Sequence, residues 1–223
     1  NKNKNRKNGF EGIFLSPAHP KVNSYLLSVF KELVDEYNID GIHLDYIRYH
    51  DSGYGKNPYS IASYKKYNSS SSEISSSSLD QFSSQQWNDF KRKSITDLVS
   101  ATKDMITLIN PKIELSAAVK PSLYEARERF YQEWDVWLVA GYLDKAFLMN
   151  YATDLRVFAA NIDIMYDNLP KKYRRKIVMG ISTYNQNSDE ALTKVKYTKV
   201  TRFSSVAFFS YNSLVQNKTY FQK

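Results

Sequence analysis

Helical and strand-like hydrophobic patterns alternate along the chain. In residues 22–37 apolar side chains recur at every third or fourth position, which predicts an amphipathic helix. In residues 40–49 apolar side chains recur at every second position, which predicts a short strand. A helix therefore leads directly into a strand, and a long polar segment follows the strand.

This predicted strand has two chemically different faces. Ile42 and Leu44 share one parity and suit packing against helices, whereas His43 and Asp45 share the other. In a barrel of parallel strands the second face lines the interior. Asp45 is then predicted at the C-terminal rim, where the active sites of such barrels lie. The alternative is a structural role, in which Asp45 caps a turn or pairs with Arg48.

The same alternation continues along the rest of the chain. Strands are predicted over residues 9–15, 113–119, 143–151, 177–182 and 205–210, and helices over residues 87–109, 134–141, 155–169 and from 189 onward. This order predicts a parallel sheet, either a barrel or an open doubly wound sheet. The sequence has no Gly-x-Gly-x-x-Gly or phosphate-loop motif, which disfavours the nucleotide-binding forms of the open sheet.

Two segments lack clear periodicity. Residues 1–8 are predicted to be a disordered or trailing segment, and residues 51–86 a flexible loop rich in serine. The loop leaves the C-terminal end of the strand before Asp45, so we expect it to hang over the proposed site. Its tyrosines either line a sugar cleft or belong to a solvated insertion.

Composition narrows the class of protein. With 223 residues, 42% of them hydrophobic, the chain can build one sizeable core, and residues 9–223 are predicted to form one domain. The absence of cysteine excludes disulfides and thiol chemistry. Three histidines without clustered cysteines argue against a zinc site, and no cofactor is predicted. No apolar run approaches the roughly 20 residues that a transmembrane segment needs.

The net charge of +8 favours anionic partners, such as an acidic polymer. The positive residues are spread out, apart from clusters near the N-terminus and at residues 171–176. The second cluster is either an anion-binding patch or a solvated loop between a helix and a strand. Because no base-reading motif accompanies the charge, nucleic acid is not an expected partner.

Six short blocks occur in a recognisable order, at residues 15–20, 37–49, 87–92, 137–144, 149–151 and 179–181. In these blocks the chain resembles glycosyl-hydrolase-like family 10, a group of bacterial glycosidase-like proteins related to α-amylase-type barrels. The block at residues 37–49 is the most specific of the six. The resemblance extends from about Phe14 to Tyr211.

The resemblance implies a (β/α)8 TIM-barrel-like fold that is incomplete in this chain. Residues 40–48 correspond to the fourth barrel strand and the later strands to the fifth to eighth, with one short strand before them. The first three strands are then expected upstream of residue 1. The resemblance also implies a hydrolase that acts outside the cytoplasm on a bacterial polysaccharide, such as peptidoglycan stripped of its peptides or another anionic cell-wall glycan.

Glycoside hydrolysis usually needs two carboxyl groups that flank the bond. Asp45 is predicted to be the ionised group, with Arg48 or Lys120 nearby to favour its charge. The partner is predicted to be Asp154, which follows a strand at the rim, or Glu125, in the loop after Lys120. Each of these two has the alternative of being a surface charge without a catalytic role.

Polar side chains near the ends of the predicted strands are candidates for binding sugar hydroxyls. They are His43, Arg48, Lys120, Asn150, Tyr151 and Tyr211. A core position is the alternative for His43. Many members of the resembled family have a second Asp directly after the one that matches Asp45, where this chain has Tyr46. This difference supports another class of function, a non-catalytic carbohydrate-binding or cell-surface module on a degenerate barrel.

Overall fold

The computed structural model describes residues 13–69, 84–203, 205–217 and 220. In these ranges helices and strands alternate, as the hydrophobic pattern predicts. The elements are α1 (Val22–Glu36), β1 (Gly41–Leu44), α2 (Pro58–Ser69), α3 (Ser84–Ile109), β2 (Glu114–Val119), α4 (Leu123–Glu128), α5 (Trp134–Ala140), β3 (Lys145–Leu148), α6 (Leu155–Asn168), a 3-10 helix (Lys171–Lys176), β4 (Ile177–Ser182), α7 (Ser188–Val200), β5 (Ser205–Phe209) and α8 (Tyr211–Gln216).

The five strands form one parallel sheet in the order β1-β2-β3-β4-β5. Each strand pairs with its neighbours in the sequence; Ile42 lies beside Leu115, and Ala117 beside Ala146. A doubly wound sheet reverses its strand order at a switch point, whereas a barrel adds each strand beside the previous one. The order therefore decides between the two alternatives, and the predicted barrel-like class is confirmed.

The hydrophobic core lies on the helix-covered outer face of the sheet. Ile42 and Leu44 are buried there together with Leu115 on β2. The helices contribute fully buried side chains such as Trp137 of α5 and Ile162 of α6. Burial of one such large side chain contributes about 1.5–3 kcal/mol. This core holds the strands in the positions that their C-terminal ends need for a site.

The opposite face of the sheet is called the inner face here. On β1 the exposed Gly41 and His43 alternate with the buried Ile42 and Leu44, which confirms the predicted parity. In the register, His43 lies beside Ser116 on β2. The inner face is therefore polar near β1, and side chains at its C-terminal end can reach a ligand.

The predicted serine-rich loop contains a helix, α2. Asn57 Oδ1 accepts a hydrogen bond from Ser60 N at 3.0 Å at the start of this helix. Tyr64 then packs edge-on against Trp87 and Phe90 of α3, at 5.1 and 5.3 Å between ring centroids. These contacts form a second, small core. Periodicity did not reveal α2 because the partners that hold it belong to another helix.

Other predicted segments differ in their bounds. Residues 13–15 are not in a strand, and residues 1–12 and 70–83, which include most of the serine run, lie outside the described residues. The basic cluster at residues 171–176 forms a 3-10 helix before β4. Of the helices that the structure describes, none is both long and apolar enough to cross a bilayer.

Candidate active site

Asp45 follows β1 directly, and its side chain is exposed. Its Oδ1 accepts a hydrogen bond from the backbone N–H of Tyr46 at 2.7 Å. Tyr46 has a φ of 53°, a left-handed conformation that bulky side chains rarely adopt. Residues with such strain cluster at functional sites, where the surrounding structure holds them in place. This turn fixes the direction of the Asp45 carboxylate.

His43 lies two residues before Asp45, and it is exposed rather than part of the core. Its Nδ1 is 2.9 Å from Ser116 Oγ, and its ring meets Phe147 edge-on at 4.9 Å between centroids. Partial burial of the imidazole ring lowers the pKa of His43, and the nearby Asp45 carboxylate only partly opposes this shift. The imidazole is therefore neutral at pH 7.

Tyr151 lies just beyond β3, close enough to Asp45 to be affected by its charge. Burial raises the pKa of the Tyr151 phenol, and the neighbouring Tyr184 and Asp45 raise it further. The phenol therefore stays protonated at neutral pH and can donate a hydrogen bond. The charge of Asp45 therefore acts on both His43 and Tyr151, and all three residues lie at or beyond the C-terminal ends of β1 and β3.

Three aromatic side chains at the ends of β3, β4 and β5 form a group that we call the aromatic corner: Tyr151, Tyr184 and Phe209. The rings of Tyr151 and Phe209 are nearly parallel, with 5.4 Å between centroids and 13° between planes. The ring of Tyr184 is nearly perpendicular to both, at 6.3 and 6.1 Å. Through Tyr151, the aromatic corner adjoins Asp45.

Arg48 and Lys120 lie at the same edge of the sheet, each against an aromatic ring. The guanidinium carbon of Arg48 is 4.4 Å from the centroid of Tyr46, and Lys120 Nζ is 4.4 Å from the centroid of Phe130. Arg48 also approaches Phe130, at 5.9 Å. Cation–π contacts of this kind hold the two charges in place beyond the ends of β1 and β2.

Asp154 is the N-cap of α6. Its Oδ1 accepts hydrogen bonds from Arg156 N at 2.7 Å and from Val157 N at 3.2 Å. N-caps satisfy backbone N–H groups that have no partner inside the helix, and Asp is among the preferred residues. Helix capping alone therefore explains an acidic residue at this position.

Glu125 belongs to the short helix α4, in a segment that the sequence predicts as a loop. Its Oε1 is 3.0 Å from Arg129 Nη1, and Arg129 Nη2 is also 2.9 Å from Asp51 Oδ2. This ion-pair chain links the segment after β1 to the segment after β2. Glu125 therefore lies at the same edge of the sheet as Asp45, but its carboxylate is already paired.

Asn150 is buried, and its position corrects its assignment to the sugar-binding set. Its Nδ2 donates a hydrogen bond to Phe158 O at 3.0 Å, and its Oδ1 accepts one from Asn161 Nδ2 at 2.9 Å. Only 1% of the residue is exposed. Asn150 shares its parity with the buried Leu148, so it points to the helix side and ties β3 to α6.

The last candidate, Tyr211, is strongly exposed at the start of α8.

Glu133 is a carboxyl group that the predicted set does not include. Burial raises the pKa of Glu133, although Arg127 and Arg92 oppose this shift. It is 3.6 Å from Arg127 and 3.8 Å from Arg92, in an ion-pair cluster that joins α3, α4 and α5. We therefore regard Glu133 as structural.

Within the described ranges, no group of three or more His, Asp or Glu side chains could hold a metal ion. The site thus offers carboxylate, imidazole, phenol and cationic groups. Two of its aromatic residues, Tyr184 and Phe209, were missed from the sequence. Phe208 and Phe209 are adjacent and point to opposite faces of the sheet, so the sequence does not show which of them lies on the inner face. The pairing of Phe209 with Ser182 on β4 places Phe209 there.

Comparisons with known proteins agree with this description. The family model described as glycosyl hydrolase-like 10 matches residues 3–215. The fold is similar to that of the PgaB (BpsB) glycoside hydrolase domain from Bordetella bronchiseptica, with a TM-score of 0.70 and 11% identity over 93% of this chain and 62% of that one. A search of curated proteins gave no significant match.

At this low identity the structural similarity concerns the fold alone, and the chain spans less than two thirds of the PgaB domain. The family match covers most of the chain, and it supports a carbohydrate-active function. The chain belongs to the glycosyl hydrolase-like 10 family.

Proposed function

We propose that this chain carries the catalytic face of a glycoside hydrolase that cuts a bacterial glycan. The observation that carries the proposal is the position of Asp45, an exposed carboxylate beyond the end of β1 and close to His43 and Tyr151. Active sites of (β/α)8 barrels lie at this end of the strands. Family membership supports the class of reaction.

In the proposed mechanism Asp45 is the ionised carboxylate, which attacks the anomeric carbon or activates a water molecule. The N–H of Tyr46 orients it. A second carboxyl group donates a proton to the leaving oxygen as the glycosidic C–O bond breaks. Water supplies the hydroxyl group of the new sugar end and restores the proton. Tyr151 donates a hydrogen bond to the sugar, and neutral His43 accepts one or donates one.

Asp154 is our first candidate for the second carboxyl group, and Glu125 is the next. Both cap bonds of Asp154 use Oδ1, so Oδ2 takes no part in the cap. The carboxylate of Glu125 is engaged by Arg129, and this ion pair would have to rearrange before Glu125 could donate a proton. Asp154 therefore requires the smaller rearrangement.

The substrate that we propose is a strand of peptidoglycan without its peptides, which implies a location outside the cytoplasm. Arg48 and Lys120 support an anionic glycan because both cations lie beyond the C-terminal ends of β1 and β2, at the same edge of the sheet as Asp45. The net charge of +8 adds a long-range attraction for an acidic polymer. These two residues would bind acidic or polar substituents of the sugar.

A non-catalytic carbohydrate-binding module is the second candidate function. It is supported by the structural duties of Asp154 and Glu125, one in a helix cap and the other in an ion pair. In this function the rim binds the glycan, and no pair of carboxyl groups cuts it. Tyr46, in place of a second acid after Asp45, agrees with this alternative.

The deciding experiment incubates the protein with purified peptidoglycan strands, with and without peptides, and follows the products by mass. Asp45→Asn is tested beside it, since Asn can still accept the bond from Tyr46 N. The matched control is Asp104→Asn, an exposed Asp on α3. We expect cleavage by the wild type and by the control, and none by a folded Asp45→Asn variant. Binding without cleavage by the wild type would favour the binding module.

A further inference from the structure

In the aromatic corner two rings are stacked and the third is nearly perpendicular to both. Two stacked rings in direct contact are about 3.5–4 Å apart, so a centroid distance of 5.4 Å means that Tyr151 and Phe209 are offset. Each ring therefore covers only part of one face of the other, and the perpendicular ring of Tyr184 lies beside the pair. Phe209 is 53% exposed and Tyr184 54%, so this surface is open to a ligand.

The backbone around the corner makes room for this arrangement. A Cβ atom on Gly180 of β4 would collide with the carbonyl oxygen of Leu148 and lie 3.2 Å from Cε1 of Tyr151. The missing side chain at this position therefore lets the ring of Tyr151 lie close against β4. The ring of Tyr151 therefore lies over β4, in the space that a side chain at position 180 would otherwise occupy.

Hydrogen bonds fix the three segments to one another. Thr183 N donates to Phe209 O at 2.7 Å, and Thr183 Oγ1 donates to Ser210 O at 3.1 Å. On the other side, Asn185 Nδ2 donates to Tyr151 O at 3.4 Å. The rings are therefore attached to a connected backbone before any ligand arrives, and such preorganisation reduces the entropy lost on binding.

We propose that the aromatic corner is a sugar-binding subsite for one pyranose ring of a glycan, adjacent to Asp45. The flat C–H face of a pyranose with equatorial substituents would stack on the part of the Phe209 ring that Tyr151 leaves uncovered. Its hydroxyl or acetamido groups would meet the phenol of Tyr184, which has an apolar ring and a polar tip. This inference rests on the proposed function for the class of ligand, and it assigns Phe209 and Tyr184 as binding residues.

The neighbouring Phe208 provides a matched control. It belongs to the same strand and is 43% exposed, but its parity places it on the opposite face of the sheet. Replacement of either phenylalanine by alanine removes the same atoms from adjacent positions. Only the change at Phe209 removes part of the aromatic corner.

The test measures binding of peptide-free peptidoglycan strands by titration calorimetry, in an Asp45→Asn background that prevents cleavage. We expect Phe209→Ala and Tyr184→Ala to weaken binding by about tenfold, and Phe208→Ala to leave it within about twofold. Phe209→Leu keeps most of the apolar volume but removes the flat ring, so it should also weaken binding while the melting temperature stays close to that of the parent protein.

The outcomes separate this inference from the proposed hydrolase. Cleavage by the wild-type protein with unchanged KM in Phe209→Leu and Tyr184→Ala would overturn the subsite and leave the hydrolase intact. Binding that depends on Phe209 in a protein that never cuts the strands would support the subsite and overturn the hydrolase. Failure of both the wild type and Asp45→Asn to bind the strands would overturn the subsite as a glycan site.

Discussion

Asp154 has a structural role in the fold and a proposed chemical role, and the sequence alone does not separate the two. Its carboxylate caps α6 through Oδ1, and it also follows a strand at the edge that holds Asp45. Asparagine caps helices about as well as aspartate, whereas alanine loses about 0.5–2 kcal/mol of stability. Two substitutions at this residue can therefore distinguish the structural role from the chemical one.

We predict that Asp154→Ala lowers the free energy of unfolding by about 1 kcal/mol, and that Asp154→Asn leaves it nearly unchanged. If Asp154 is the proton donor, Asp154→Asn should still slow cleavage by roughly 100-fold or more. Urea unfolding and rates of strand cleavage check the two parts. Wild-type rates in a stable Asp154→Asn variant would restrict this residue to capping and direct attention to Glu125.

At Gly180 of β4, the addition of a single methyl group should lower the stability of the protein. We predict that Gly180→Ala destabilises the protein by about 1–3 kcal/mol, because the added methyl group collides with the Leu148 carbonyl and crowds the ring of Tyr151. Gly53→Ala is the control, since nothing lies within 4 Å of a Cβ there. Thermal unfolding of the two variants gives the comparison. Equal stability of both would contradict the close approach at β4.

At the level of elements, the strands and most helices could be predicted because their signals are local. The stripe of α1 and the parity of β1 depend only on which residues alternate. The helix α2 was not predicted, because the rings that Tyr64 packs against belong to α3. Asn150 was predicted to bind sugar because it follows a strand. Its parity is the same as that of the buried Leu148 and indicates the helix side of the sheet instead.

Lys91 of α3 makes contacts with other segments of the chain that the sequence did not reveal. Its side chain is almost fully buried, Nζ donates a hydrogen bond to Ser52 O at 3.2 Å, and the ammonium lies 3.5 Å from the ring centroid of Tyr131. Lys91 therefore anchors the segment after β1 to α3. Burial, followed by the charges of Lys56 and Arg92, lowers the pKa of Lys91 to about 7.

This pKa gives the stability a pH dependence with a definite sign. Between about pH 7 and the usual lysine pKa of 10.5, the unfolded chain binds more protons at this site than the folded protein does. The contribution of Lys91 to the free energy of unfolding should therefore rise from pH 7 to pH 9. We predict that Lys91→Met, which lacks the titrating group, shows a smaller rise than the wild type.

The measurement is urea unfolding of both proteins at pH 7 and pH 9. Lys93→Met serves as the control, because Lys93 is an exposed lysine of the same helix that pairs with Asp97 at 2.7 Å. Its pH dependence should follow that of the wild type. A rise in Lys91→Met as large as in the wild type would show that Lys91 keeps its proton in the folded protein.

At the scale of the whole molecule, the candidate site is formed by groups that meet only after folding. Asp45 follows β1 at one side of the sheet, and Phe209 belongs to β5 at the other, with Tyr151 between them. The pattern of the sequence predicts Asp45 and Tyr151 because each follows a strand. It cannot predict the aromatic corner, because contacts between rings depend on the register of three strands.

The last two strands of the sheet, β4 and β5, differ in how well they are protected. Every residue of β4 is buried, whereas β5 is exposed or only partly buried along its whole length. We predict that amide hydrogens of β5 exchange faster than those of β4 and that β5 opens without unfolding of the rest. Exchange followed by mass spectrometry on peptides 177–182 and 205–209 gives the result. Equal protection of the two strands would contradict this order.

The match between strand order and chain order also affects how the protein is made. Each strand emerges from the ribosome after the neighbour that precedes it in the sheet, so its first partner already exists. The contacts within the sheet therefore join consecutive units, and the longest connection that must close is the one from β1 to β2, which includes α2 and α3. We expect the nascent chain to add one unit at a time, with the aromatic corner completed last.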